Sequence, residues 1–235
     1  MSALEEFPED WDRGLVLMAH PDDPEYGTAI AVNRWTRDGK EIAYVLATSG
    51  EAGIEGMPPE QAGPAREVEQ RNAIAHVGVS ELEFLGFSDG RTEFGLELRR
   101  ALAGAIRRYR PEVVITLNFG LSFGGVYRNQ ADHRAVGLAT LDAVSDAGNS
   151  WIFPDLEGEP WSGVQHIAVF ADPDPTHAVV VSDEDLVAAT AALAEHRRYL
   201  EGLGVDDVEA HARAQVESGV VVKEGVQRVS FRVYR

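Results

Sequence analysis

The chain contains no cysteine. That absence removes disulfide frameworks, thiolate metal ligands and cysteine nucleophiles together, so any metal must be held by His, Asp or Glu. Basic residues are scarce: 21 Lys and Arg stand against 39 Asp and Glu, a formal net charge of -18. A surface of that sign repels phosphate backbones and anionic membranes, which argues against nucleic acid as a partner. No window of about 18 uncharged apolar residues occurs, so no membrane span is expected. Met1 to Asp12 is acidic and polar where a secretory signal would be basic and then apolar, and the expected location is cytoplasmic. With 44% hydrophobic residues over 235 positions, the chain can bury one sizeable core, and a single domain over 1–235 is expected.

What the chain does have is a corner dense in ligands. Gly14 to Ala19 reads as a short, fully buried strand, and it leads into Met18-Ala19-His20-Pro21-Asp22-Asp23-Pro24-Glu25. A buried parallel strand delivers its last side chains into the crevice where open α/β sheets bind ligands, here one imidazole and three carboxylates. Imidazole and carboxylate suit a divalent ion such as zinc, and Pro21 and Pro24 stiffen the backbone between them. A plainer reading has His20 as a strand-end histidine and Asp22 or Asp23 as the cap of a helix starting near Tyr26. Adjacent carboxylates repel unless a cation or proton neutralises them, which favours the site reading, provided a second His arrives from elsewhere.

Along the chain, strands alternate with helical patterns. Thr28 to Arg37 is helical, Ile42 to Ala47 is a strand, and a glycine-rich loop from Thr48 runs through Pro58, Pro59 and Pro64 before Ala65 to Val77 resumes helical spacing. Leu82 to Phe87 is a strand ending at Ser88-Asp89-Gly90. The next helix carries Leu98, Leu102, Ala105 and Tyr109 on one face and stops at Arg110-Pro111, and Val113 to Leu117 is the fourth strand. The alternation reads as a doubly wound, mostly parallel sheet with helices on both faces. Asn118 to Gln130 is a long loop whose aromatics and glycines suit a mobile wall beside a ligand. Beyond it, Val164 to Ala171 and Ala178 to Val181 look like strands. Ser182 to Asp185 makes a capping box for a long helix reaching Leu200, and Val226 to Tyr234 reads as a final edge or hairpin strand.

The loop feeds Asp132-His133 at the start of a helix, on the sheet face that carries His20. This is the second His. Two His and one Asp make a three-ligand site with a position left open, and the acid that does not ligate becomes the base; spacing alone leaves Asp22 and Asp23 unassigned between those roles. The strand with His20-Pro21-Asp22-Asp23-Pro24-Glu25, the Thr48-Ser49-Gly50-Glu51 loop, Arg66-Glu67, and Asp132-His133 with Gly137 resemble the zinc-dependent N-deacetylases of the PIG-L or LmbE-like family, over Gly14 to about Val144.

The resemblance implies a Rossmann-like three-layer α/β sandwich and hydrolysis of an N-acyl group, often N-acetyl, from an amino-sugar conjugate of the N-acetylglucosamine type. It implies His20, Asp23 and His133 as ligands of zinc or another divalent metal. Asp22 would be general base and then general acid, and Asp132 a partner of a ligand. Glu51, Arg66 and Asp89 fall where family loops touch the sugar, Arg66 and Glu67 being read in the first turn of a helix. Where members often carry a further His, this chain has Gln130, a neutral donor toward the oxyanion. The alternatives are an amidase for a larger thiol-sugar conjugate and a non-catalytic carbohydrate-binding relative; a dinucleotide-binding protein lacks its glycine fingerprint after the first strand. The expected partner is a small-molecule substrate, with assembly left open, a homo-oligomer included. His76, His166, His196 and His211 fall within predicted elements and are assigned no chemistry, and His177 stays undecided.

Overall fold

Apolar runs between charged ends make the strands of this chain, whose computed structural model describes residues 4–235. In order they are β1 (Glu5–Glu6), β2 (Arg13–Met18), α1 (Ala29–Arg37), β3 (Glu41–Leu46), α2 (Pro59–His76), β4 (Glu81–Phe84), α3 (Leu96–Tyr109), β5 (Val113–Leu117), β6 (Ser122–Phe123), β7 (Tyr127–Arg128) and α4 (Ala131–Gly148). There follow β8 (His166–Phe170), β9 (His177–Val181), α5 (Asp183–Ala194), α6 (Arg197–Gly202), α7 (Val208–Ser218), β10 (Val221–Lys223) and β11 (Val226–Tyr234). The main sheet runs β1-β9-β11-β8-β5-β2-β3-β4.

Strand periodicity builds two cores from one sheet, because successive side chains point to opposite faces. Leu15 and Leu17 of β2 pack with Leu98, Leu102, Ala135 and Ala139 of α3 and α4. Val16 and Met18 pack on the other face with residues of α1, α2, α5 and α7, including Ile30, Ile74, Leu193 and Val216. The result is the expected α/β sandwich with a mostly parallel sheet. From β2 the chain moves outward to β3 and β4, then returns to place β5 on the other side of β2. That reversal is the topological switch point at which such sheets open a crevice.

Several expectations are corrected by tertiary context. Helix α2 starts at Pro59, not after Pro64. Proline at the first helical position costs no hydrogen bond, and Gly63 lies so close to Ser49 and Glu51 that packing holds the early turns despite Pro64. Arg66 and Glu67 are therefore mid-helix. The chain after β2 turns until Ala29, and neither Asp22 nor Asp23 caps α1, whose flanking residue is Thr28. The helix expected to reach Leu200 breaks at Glu195 and His196 into α5 and α6, although its capping box of Ser182 and Asp185 is present. β11 is no edge strand: it pairs antiparallel with both β8 and β9 inside the sheet, while also forming the hairpin with β10. β1 and α7 were not foreseen, and of the segment Met1 to Asp12 residues 1–3 lie outside those described. Among the described residues, no helix is long and apolar enough to cross a membrane.

Candidate active site

Short side chains fix the corner after β2. The Asp23 carboxylate accepts from the backbone N–H groups of Ala19 and His20 through Oδ2, at 3.1 and 2.8 Å. This local bond pins the strand end and leaves Oδ1 facing His133 Nε2 at 3.0 Å. His133 arrives on the first turn of α4, which can approach because Gly137 has no side chain: a Cβ there would lie 2.8 Å from Leu117 O. His20 Nδ1 lies 3.2 Å from His133 Nε2 and 3.4 Å from Asp23 Oδ2.

Those three separations test the fit of a metal. Zinc–nitrogen bonds of about 2.0–2.1 Å in a tetrahedron put neighbouring ligand atoms about 3.3 Å apart. The two edges that meet at His133 Nε2, to His20 Nδ1 and to Asp23 Oδ1, are 3.2 and 3.0 Å, and the 3.4 Å to His20 Nδ1 is taken from the other carboxylate oxygen, Oδ2. His20, Asp23 and His133 are buried and each offers a ligand atom within 4.8 Å of the others. The outward nitrogens are also held. His133 Nδ1 faces Asn129 Oδ1 at 2.9 Å, and His20 Nε2 faces Asp89 Oδ1 and Asp132 Oδ2 at 3.1 and 3.3 Å. Donating there leaves the inward nitrogens free to ligate. Burial alone would lower the His20 pKa, yet Asp23 and Asp132 hold it well above the usual value, the mark of a spot that favours positive charge. The donor set fits a divalent ion.

Asp22 and Asp23 are separated by their surroundings, which spacing could not do. Burial pushes the Asp23 carboxyl up, but His133 and His20 outweigh it and hold it well below the carboxylate range. For Asp22 burial wins: Arg66 offsets part of it, Asp23 adds repulsion, and the carboxyl is pushed up from 3.8 to about 6. Asp22 sits at φ 93°, a left-handed conformation costly for a non-glycine residue. Arg66 holds it there. Its Nη2 donates to Asp22 Oδ1 at 2.8 Å and to Pro21 O, and its Nη1 donates to Gly50 O at 2.9 Å. Gly50, at φ 61°, has to be glycine, since a Cβ would lie 2.1 Å from that Nη1.

The remaining expected residues fall in four places. Asp132 is buried at the cluster, where it also accepts from Gly90 N at 2.7 Å. Asp89 and Glu51 clasp two loops together: Asp89 N donates to Glu51 Oε1, and Ala52 N donates to Asp89 Oδ2, both at 2.8 Å. Arg66, expected at the sugar, is 2% exposed and engaged with Asp22. Gln130 is exposed on a groove shared with Gly90, Tyr127, Arg128, Asp132 and Arg134. The wall before it is no free loop. β6 and β7 form a hairpin, and Asn129 Nδ2 donates to the carbonyls of Asn118 and Gly120 at 2.6 and 2.9 Å, pinning its base.

Sequence reasoning missed Gln70, Asn129 and His196 as parts of this assembly. Asn129 had a signal only in its place, four positions before His133 in the loop that feeds α4. Gln70 and His196 had none, because their partners come from distant segments.

A model of the family described as PIG-L, GlcNAc-PI de-N-acetylase, matches residues 15–144. The chain belongs to this family. The PIG-L match covers β2 to α4 and so contains every residue of the candidate metal cluster. The probable N-acetyl-alpha-D-glucosaminyl L-malate deacetylase 2 of Bacillus anthracis is 32% identical over 138 residues, 56% of this chain and 58% of that protein. The diacetylchitobiose deacetylase of Thermococcus kodakarensis is 28% identical over 178 residues, 74% of this chain and 65% of that protein. The chain thus spans about three fifths of the length of these curated relatives. The same fold is seen in the N,N'-diacetylchitobiose deacetylase of Pyrococcus horikoshii, at a TM-score of 0.83 and 22% identity over 96% of this chain and 84% of that one. A conserved protein of Thermus thermophilus matches at a TM-score of 0.74 and 28% identity over 94% of each chain.

Proposed function

We propose that the protein is a zinc-dependent hydrolase that removes an N-acyl group, N-acetyl in the first instance, from an amino-sugar conjugate. The observation that carries this reading is a cluster of metal-ligand geometry with a buried carboxyl of pKa about 6 beside it. His20, Asp23 and His133 would hold the ion, which when bound supplies a Lewis acid that polarises an amide carbonyl and acidifies water. Another divalent ion with the same ligand preferences is the alternative.

The chain's own groups would do the rest. Asp22 takes the proton of the attacking water and returns it to the amide nitrogen as the C–N bond breaks, so the products are a carboxylic acid and a free amine. A carboxyl near 6 suits both halves, being ionised at neutral pH yet able to carry a proton. Arg66 is read as the holder of Asp22 and not as a sugar contact. Asp132 fixes the His20 ring, Glu51 and Asp89 offer acceptors to sugar hydroxyls, and Gln130 donates to the developing oxyanion. The names of the two relatives support an amino-sugar substrate.

The test is amine release from a panel of N-acetylglucosamine conjugates, with metal analysis of the same preparation. Release that a chelator abolishes and zinc restores is the expected result. A fully metal-loaded protein that cleaves none of them overturns the reading.

A further inference from the structure

The break between α5 and α6 puts one imidazole into the core behind the site. His196 lies there at φ -76°, ψ 42°, and both it and Glu25 are fully buried. His196 Nε2 stands 3.2 Å from Glu25 Oε2. The carboxylate oxygen accepts, so Nε2 is the donor, and Nδ1 is left buried without a partner. Stability alone does not ask for such a pair. Well-packed apolar residues of the same volume usually hold a core as firmly as a buried carboxylate and imidazole.

The pair does hold something polar. Glu25 Oε1 accepts from Gln70 Nε2 at 3.0 Å, which turns the Gln70 oxygen toward Asp22, whose backbone N–H donates to Oε1 at 3.0 Å. A reversed amide would set an NH2 group against that N–H. The relay therefore ends on the residue whose backbone sits at φ 93°, a conformation that persists only where its surroundings over-determine it. Arg66 restrains Asp22 from the other side, and its guanidinium lies 3.9 Å from the ring centre of Tyr199, on α6 three residues after His196.

We infer that His196 is a positioning residue for Asp22: by holding Glu25 it orients the Gln70 amide and so keeps the strained Asp22 backbone aimed at the reaction. His196 lies outside the 15–144 stretch that matches the family, so the C-terminal segment completes the site from behind. The inference rests on the proposed hydrolase reading for its kinetics, though not for its geometry.

The experiment uses the metal-loaded full chain and three variants. His196→Asn withdraws the donor from Glu25, whereas His196→Gln returns an N–H near the position of Nε2. His196→Asn should lower kcat about 10- to 100-fold, the range in which partners standing behind reacting groups usually act, with KM and metal content near the parent. His196→Gln should recover to within a few fold. The double variant Glu25→Leu with His196→Leu leaves no buried charge unpaired, so it serves if the Asn variant folds poorly, and it should lose kcat to the same extent. Crystal structures of the variants read φ at residue 22 and the Gln70–Asp22 contact, with both changed in the Asn variant and restored in the Gln variant. Unchanged kcat with an unchanged contact, equal losses in the Asn and Gln variants, or loss of the metal would each overturn the inference. If the parent cleaves no conjugate the hydrolase reading fails, and the crystal structures alone then decide the role of His196.

Discussion

Asp22 and Asp185 are both buried carboxylates beside an arginine, yet they end in opposite states. Asp185 lies at the capping box of α5, where Oδ2 accepts from Ser182 N and Oγ at 2.8 and 2.7 Å, and Oδ1 accepts from Asn33 Nδ2 and Arg37 Nη1 at 2.8 and 3.0 Å. Burial would raise its pKa, but these donors outweigh burial and hold it below the ordinary value. Asp22 has Arg66 and a second carboxylate next door, and burial carries it up to about 6. Both are shielded from solvent, but Asp22 is packed more deeply, faces a second carboxylate and has the single Arg66 side chain as its donor, whereas Asp185 has four donor contacts. Together these differences separate a structural acid from one poised to exchange a proton.

The largest effects should come from the ligands that surround Asp22. His20→Ala or His133→Ala should release the metal and remove turnover altogether, beyond the roughly hundredfold loss typical of a ligand's outer partners. Metal analysis beside the kinetics checks this, and an alanine variant that binds metal as tightly as the parent sinks the ligand set. Next comes Asp22→Asn, expected to keep the metal and lose about 10²- to 10⁴-fold in kcat, the usual contribution of a general acid and base. Asp23→Asn should instead weaken metal binding.

Asp185→Asn is the contrast. Its expected outcome is unchanged kcat with stability lower by about 1–3 kcal/mol, because the Ser182, Asn33 and Arg37 donors are left partly unsatisfied in a buried site. Thermal melts read this as a shift of several degrees. The pH dependence should differ in sign. Asp185 has a depressed folded pKa, so its stabilisation is present above its unfolded pKa near 3.8 and is lost as pH falls through the lower folded value. Asp22, raised from 3.8 to about 6, holds its proton more tightly when folded, so the metal-free protein should lose stability as pH rises across that window. Asp22→Asn should flatten that loss, and parallel slopes for the two acids would erase the distinction.

The same contrast explains what was legible in the sequence. The strand-end cluster could be read because its chemistry is local: His20, Asp22 and Asp23 lie within four positions, and His133 opens a helix on the same sheet face. The order of β2 to β5 followed from apolar runs and turn residues. What stayed hidden depends on distant contacts. Helix α2 begins before Pro64 because Gly63 packs against the loop after β3, and β11 enters the sheet because β8 and β9 leave it a place. His196 reads in the sequence as a histidine within a helix, because its partner Glu25 lies 171 positions away. The roles of Asp22 and Asp23 needed burial and partners, which spacing does not encode.

The smallest expected effect lies at the rim of the groove. Gln130 flanks the start of α4 with an extended backbone and no capping bond from its side chain, so its amide is free to serve a ligand. Its exposure lets water compete for that donor, and we expect Gln130→Ala to lower kcat by only about tenfold, below the 10²–10³ typical of an enclosed oxyanion donor. KM and metal content should stay near the parent, because a donor used in the transition state alone acts on rate. Gln130→His sharpens the test. An imidazole at this place would supply a donor that titrates near neutrality, so activity should be kept or raised while the pH–rate profile gains a new limb, which an amide cannot produce. If neither substitution changes kcat or its pH profile, Gln130 points away from the reaction, and the oxyanion must be met by the metal and the loops around Asp89.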